Sequence, residues 1–423
     1  KRALHKALRE TLPQSKELSE ELSLGCDFKI QIPEKDDLHA MNGLPAGGKE
    51  DQEMRLTNMI EQIQALALPT VHTQHAGLAK DWLSLFLLID KGDAKKSFQQ
   101  LDIMTTNEPL LQLILNVHPI NYLKKIIEYC IAAQSTQIKK INNDILITPK
   151  TFEILIKDIA TTLTHRTPLY FSFGLPTHHA SKNEASGFCI LNKVVILMNH
   201  VQAYQKNPVQ HLIIGTDVNR DNGLCSLLHE SPHLNSYHMD VYDSRVYPFQ
   251  DRSCITKELK QAGKKLQLDI MSWDKKHLNY LSIDLSLNPR MKSIIHPALL
   301  FALEQLKIQI LKASRTGEKI MIYLPTGWDS HEHETAECGA YIQGNMLEKA
   351  AAKQCRFNDD DLVYFYQQII QIYLANNSTI LGIYWGLEGG YDKTMYQNQI
   401  QLMFKTITNQ LNPNNEEHSS YHM

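Results

Sequence analysis

The chain has 423 residues, 43% hydrophobic and 21% charged, which is enough to bury a large core as one big α/β domain or as two smaller ones. A formal net charge of −3 excludes a global attraction to nucleic acid, so any basic partner must be met by a local surface. Seven cysteines (26, 130, 189, 225, 254, 338 and 355) never form CxxC, which argues for reduced thiols and against a disulfide framework or a cysteine-rich zinc site. No run approaches the roughly 18 apolar residues of a membrane span, and the first 22 residues are charged throughout, so a soluble, intracellular protein with neither span nor secretory signal is expected.

In chain order, residues 1–30 read as a helical extension, with a Leu-, Lys- and Glu-rich helix over 1–23. A loop follows at Gly43–Gly48, then a helix near Glu53–Leu68. From residue 145 onward, short apolar runs predict strands at 145–148, 168–173, 211–217, 280–287, 319–325 and 379–385. Helical patterns separate them near 151–164, 187–205, 296–315 and 360–375. This alternation predicts one α/β domain over 31–408, with a central, mostly parallel sheet flanked by helices. Residues 409–423 are polar and without apolar period, and read as a flexible tail.

Four predicted strands run directly into unusual polar segments: GLPTHHA, DVNRDNG, TGWDSHEHE and GLEGGYD. The carboxyl ends of parallel strands share one edge of a sheet, where ligands bind, so the four segments converge. Their contents suit a single-metal hydrolase. Asp217 and Asp329 offer oxygen ligands, Asn219 or His331 a third, and an open position would hold a water of lowered pKa. His178 and His179 can carry that water's proton to a leaving amine, and Tyr391, after two glycines, can direct its hydroxyl at an oxyanion. Each feature alone is more often a helix cap, a structural histidine or a plain turn; their coincidence at four strand ends is what carries the reading.

The segment HHASKNEASGFC (178–189), with Leu191 and Asn192 behind it, closely resembles a block of the zinc-dependent histone deacetylases. GTDVNRDNG (215–223), GWDSH (327–331) and LEGGYD (387–392) resemble that family's DxDxHHGNG, GFDAH and EGGY elements, in the same order. Weaker similarity at 55–63 and 117–126 extends the match over roughly residues 35–405, and YDSRVYPF (242–249) resembles the class II and bacterial branch. The resemblance implies an arginase/deacetylase-like fold and Zn2+ as cofactor, with Asp217, Asn219 and Asp329 as its ligands. It implies His179 as general base and acid, His178 as its electrostatic neighbour, and Tyr391 as the group that polarises the carbonyl. Phe188, with Gly187, would wall a tunnel for acetyl-lysine; Tyr247 is the candidate for the facing wall, because Val246 stands where the family has Phe. The implied partner is an acetylated lysine peptide such as a histone tail, with no direct nucleic-acid or membrane contact. The acidic tail resembles export signals of bacterial effectors, which would imply action in a host nucleus.

The second element departs from the family. Asn219 stands in place of a zinc-binding His, Gly215 in place of a buried Asp that supports the first histidine and a monovalent cation, and Arg220-Asp221 in place of His-Gly. An amide oxygen is a weaker zinc ligand than imidazole, so reduced affinity is expected. Three readings stay open: an active deacetylase, a pseudo-enzyme that binds acetyl-lysine, and an arginase-like binuclear hydrolase in which Asp221 and His331 build the site.

Overall fold

The computed structural model describes residues 28–32, 59–66, 68–73, 77–136, 139–141, 145–248, 255–261, 264–274, 278–288, 295–334 and 355–411. The helix expected over 1–23, the loop at 43–48 and residues 412–423 of the expected tail lie outside them. Strands β1 (Phe28–Ile32) and β2 (Thr70–His72) precede helices α1 (Lys80–Asp90), α2 (Ala94–Met104), α3 (Pro109–Leu115) and α4 (Ile120–Ala133). Then come β3 (Lys139–Lys140), β4 (Leu146–Ile147), α5 (Thr151–His165), β5 (Leu169–Ser172), α6 (Lys193–Tyr204), β6 (Val209–Gly215), α7 (Asn222–His229) and β7 (Asn235–Tyr242). The rest is β8 (Ile255–Gln261), β9 (Lys264–Asp274), β10 (Leu278–Asp284), α8 (Pro297–Thr316), β11 (Lys319–Thr326), α9 (Asp359–Ala375), β12 (Ile380–Leu387) and α10 (Lys393–Leu411).

One sheet organises the chain, in the order β2-β1-β5-β12-β11-β6-β7-β10-β9-β8. Neighbours from β2 to β10 are parallel, and β9 and β8 continue the sheet as an antiparallel edge. Both faces are covered, as a parallel sheet requires. Along β11, Ile320, Ile322 and Leu324 pack with α8, α9 and α10, while Met321 and Tyr323 face the core shared with α1 to α7. The same alternation puts Leu169 and Phe171 of β5 on one side and Tyr170 on the other. The expected mostly parallel α/β sheet is therefore the fold, and β5, β12, β11 and β6, whose ends carry the four polar segments, are consecutive neighbours at its centre.

Three expected elements are placed differently. ILIT (145–148) is not part of the main sheet: Leu146–Ile147 pairs with Lys139–Lys140 in a separate antiparallel ladder. The helix expected over 187–205 starts only at Lys193, because Gly187 and Phe188 both take positive φ in a tight turn and Asn192 caps the helix through Val195 N at 3.1 Å. The strand expected to reach 287 ends at Asp284, whose carboxylate caps a 3-10 turn over Leu285–Leu287. At the ends of the domain, β1 takes in residues 28–30 of the expected extension and α10 runs to Leu411, into the expected tail.

A buried polar knot holds the base of the site. Lys193 Nζ lies 2.6 Å from Asp158 and 2.8 Å from the Ser172 hydroxyl, and Gln31 donates to the same carboxylate at 2.6 Å. These four side chains join α6, α5, β5 and β1 just below the turn that carries the histidine pair. Removing one partner of such a pair strands a charge in the core. Lys193→Met is expected to destabilise by about 3–5 kcal/mol, and adding Asp158→Asn to recover part of that loss, read from chemical denaturation midpoints.

Candidate active site

The strand ends are laced to one another in sheet order. Thr216 N donates to Pro325 O at 2.9 Å, Glu388 N to Thr326 O at 2.8 Å, and Trp328 N to Gly389 O at 3.1 Å. Trp328 anchors its loop by burying its ring and donating Nε1 to the Tyr366 hydroxyl at 3.1 Å. Two carboxylates converge in the space left by glycines. A Cβ on Gly327 would lie 1.9 Å from Asp217 Oδ2 and 2.4 Å from Asp329 Oδ1, and one on Gly389 2.0 Å from Asp329 Oδ2 and 2.7 Å from Asp217 Oδ2. Backbone amides fix both acids: Gly389 N and Asn219 N donate to Asp217 at 2.9 and 2.8 Å, and Val218 N to Asp329 at 3.2 Å.

Both acids are buried. Burial pushes Asp217 up to about 6 against the opposing pull of His178. Burial, followed by repulsion from Asp217 and Glu334, drives Asp329 well above the ordinary carboxylate range. Two buried acids in a glycine-lined cradle fit a divalent cation, which would relieve both the repulsion and the desolvation. Asn219, whose backbone N binds Asp217, donates Nδ2 to Tyr247 O at 2.7 Å, so its amide nitrogen is engaged. His331 does not join this set: its Nε2 pairs with Asp359 at 3.1 Å and its Nδ1 accepts from His333 N at 3.1 Å. Nor does it meet Asp221, whose carboxylate is bound to His178 and His238, so the binuclear arrangement is not built.

The histidine pair is held in distinct states. Their ring centroids lie 3.9 Å apart. His179 Nδ1 donates to Asn222 Oδ1 at 2.5 Å, which leaves Nε2 as a proton acceptor. Burial and the neighbouring His178 charge keep the His179 pKa well below its usual value. For His178, burial is outweighed by the Asp217 charge and a hydrogen bond to Asp221, and its pKa rises to about 10. A Cβ on Gly187 would sit 2.2 Å from His179 Cδ2, so the ring packs directly on that backbone.

Aromatic side chains ring the approach. Phe188 and Tyr391 meet edge to face with centroids 6.3 Å apart, and Tyr247 lies edge to face on His179 at 5.1 Å while its hydroxyl bonds Ser186. Val246, by contrast, is buried against Val218. Tyr247 thus touches both His179 and the turn that carries Phe188.

A family model described as the histone deacetylase domain matches residues 84–407. The chain belongs to the histone deacetylase family. Among solved structures, the HDA15 HD domain is similar with a TM-score of 0.55 and 11% identity over 92% of this chain and 91% of that one, a likeness of fold. Family membership places the chain among the deacetylase hydrolases. Among the described residues, no helix is long and apolar enough to cross a membrane, and Cys130, Cys189, Cys225 and Cys355 are free thiols.

Several residues of this deacetylase-family site were not singled out from sequence. Glu388 accepts from Thr177 N at 2.5 Å and His178 N at 3.3 Å, fixing the histidine turn from the residue after β12. Glu334, fully buried, accepts from Tyr391 N at 2.6 Å and so sets the backbone of that tyrosine. Both are buried acids close to glycine-rich strand ends, the one signal that could have marked them. His118 accepts from Asn192 N at 2.9 Å on Nε2 and donates Nδ1 to Lys182 O at 3.1 Å, bracing the same turn in the neutral state. Burial holds its pKa down at about 4, with His200 and His211 at about 3. All three bind protons more readily once unfolded, so their contribution is constant above pH 6.5 and stability falls as pH drops from 6.5 toward 4. His118→Gln is expected to make that decline shallower, measured as denaturation midpoint against pH.

Proposed function

We propose that this protein is a metal-dependent protein lysine deacetylase, converting Nε-acetyl-lysine and water to lysine and acetate, with zinc as its metal and histone tails as the substrate class. What carries the reading is one juxtaposition: the Asp217–Asp329 cradle lies 4.0 Å from His178 Nε2, and stacked 3.9 Å from that ring is a neutral His179 whose Nδ1 is tethered and whose Nε2 is available. A cation in that cradle, held by Asp217, Asp329 and Asn219, would supply Lewis-acid polarisation and a water of lowered pKa. The chain's own groups account for the remaining steps. Phe188 and Tyr247 flank the aliphatic lysine stem and exclude water. Tyr391 presents its hydroxyl to the carbonyl oxygen as charge develops there. His179 Nε2 takes the proton of the attacking water, with Asn222 keeping the ring oriented. The C–N bond then breaks, and the departing amine leaves protonated from the histidine pair.

With one zinc per chain, the protein is expected to hydrolyse an acetyl-lysine peptide, to stop when chelated and to resume when zinc is restored. Tyr391→Phe should lower kcat on the order of a hundredfold or more. Peptide binding without turnover at full zinc occupancy would replace the enzyme with the acetyl-lysine binder.

A further inference from the structure

The two departures at Gly215 and Asp221 are one structural event. Asp221 stands at the N-cap of α7, where an Asp ordinarily accepts a backbone hydrogen bond, yet its side chain makes no cap bond. The carboxylate instead turns back over the end of β6. Its Oδ1 accepts from His178 Nδ1 at 2.8 Å and its Oδ2 from His238 Nε2 at 2.9 Å, all three groups being buried. Asp240, opposite Gly215 on β7, accepts from Asp221 N at 3.1 Å and fixes the backbone in that pose. The room it uses belongs to residue 215: a Cβ there would lie 2.3 Å from Asp221 Oδ2, 2.9 Å from its Cγ and 3.3 Å from its Oδ1. Any side chain at 215 expels the carboxylate, and the missing one admits it.

We propose that Asp221 is the positioning carboxylate of His178, and that Gly215 and Asp221 form a transposed pair in which one buried acid serves the histidine from α7 rather than from the end of β6. Arg220 is drawn the other way, donating Nε to the Tyr280 hydroxyl at 3.0 Å and lying over the Tyr242 and Tyr280 rings, so the two residues that replace the family's His-Gly have separate and definite places. The element is rebuilt rather than degraded. Asp221 touches no substrate in this assignment; it holds the His178 ring and its Nδ1 proton.

The assignment rests on the deacetylase reading, and reciprocal exchange of the acid tests it. Asp221→Gly should lower kcat about 10- to 100-fold with little change in KM. Gly215→Asp alone, with two acids in one space, should also lose activity. The double variant Gly215→Asp/Asp221→Gly should regain at least about tenfold over either single change, a non-additivity expected only of residues that share a site. A second readout needs no metal and no turnover: in metal-free protein labelled on histidine nitrogen, the downfield Nδ1–H resonance lost in His178→Ala should vanish in Asp221→Gly and return in the double variant. Additive losses, or an Nδ1–H resonance unchanged in Asp221→Gly, would overturn it. If the wild type turns over no acetyl-lysine peptide, the deacetylase reading fails while the resonance still decides the Asp221 assignment.

Discussion

Two buried carboxylates that repel each other set the terms for everything around them. Asp217 and Asp329 lie just past the ends of neighbouring strands, β6 and β11, and are brought together by loops whose glycines leave no side chain between them. Burial raises both, joined by Glu388 and Asp221 at Asp217 and by Asp217 and Glu334 at Asp329, so the arrangement is costly unless a cation occupies the cradle. The surrounding hydrogen bonds are aimed at the same points: Gly389 N, Asn219 N and Val218 N all donate to the two acids. A fold that spends backbone donors in this way has committed its strand ends to charge.

Around that centre the chain sorts protons by environment. His178, between Asp217 and Asp221, is held as the cation, whereas His179, facing an amide oxygen and its charged neighbour, is held neutral with a defined tautomer. Adjacent residues of one type thus differ in role because their second nitrogen-bonding partners differ, an acid for one and Asn222 for the other. Outer residues support this division. Glu388 fixes the histidine turn from the residue after β12, His118 braces it from the loop before α4, and Gly223 lets α7 lie directly on the His179 backbone, where a Cβ would come within 2.3 Å of the carbonyl.

How much of this is legible in the sequence depends on where the information sits. The parallel sheet and the four strand ends are readable because apolar runs followed at once by HH, DVN, GWD and GGY segments are local signals. Val246, which stands where the family has Phe, is buried with Val218, while Tyr247 lies against His179, a division that residue order alone does not show. β7 was not readable: NSYHMDVY carries His238 and Asp240 in its buried run, polar because they face Asp221 rather than lipid-like core. Nor was the start of α6, which depends on a positive-φ turn at Gly187 and Phe188 that periodicity ignores. The role of Asp221 was hidden most deeply, because the loss at 215 and the gain at 221 look like two defects in a line of letters and like one replacement in space.

In the proposed deacetylase, the Asp217–Asp329 cradle is where the metal binds. Anomalous diffraction at the zinc edge, on crystals of protein loaded with one equivalent, measures that directly. The account predicts a single peak about 2.0–2.2 Å from the Asp217 and Asp329 oxygens, with the Asn219 amide oxygen as the third protein ligand. A peak among Asp221, His238 and Asp240 or among His178, Cys189 and Glu388, two buried groups that could hold an ion, or no peak in the cradle at full loading, would contradict it.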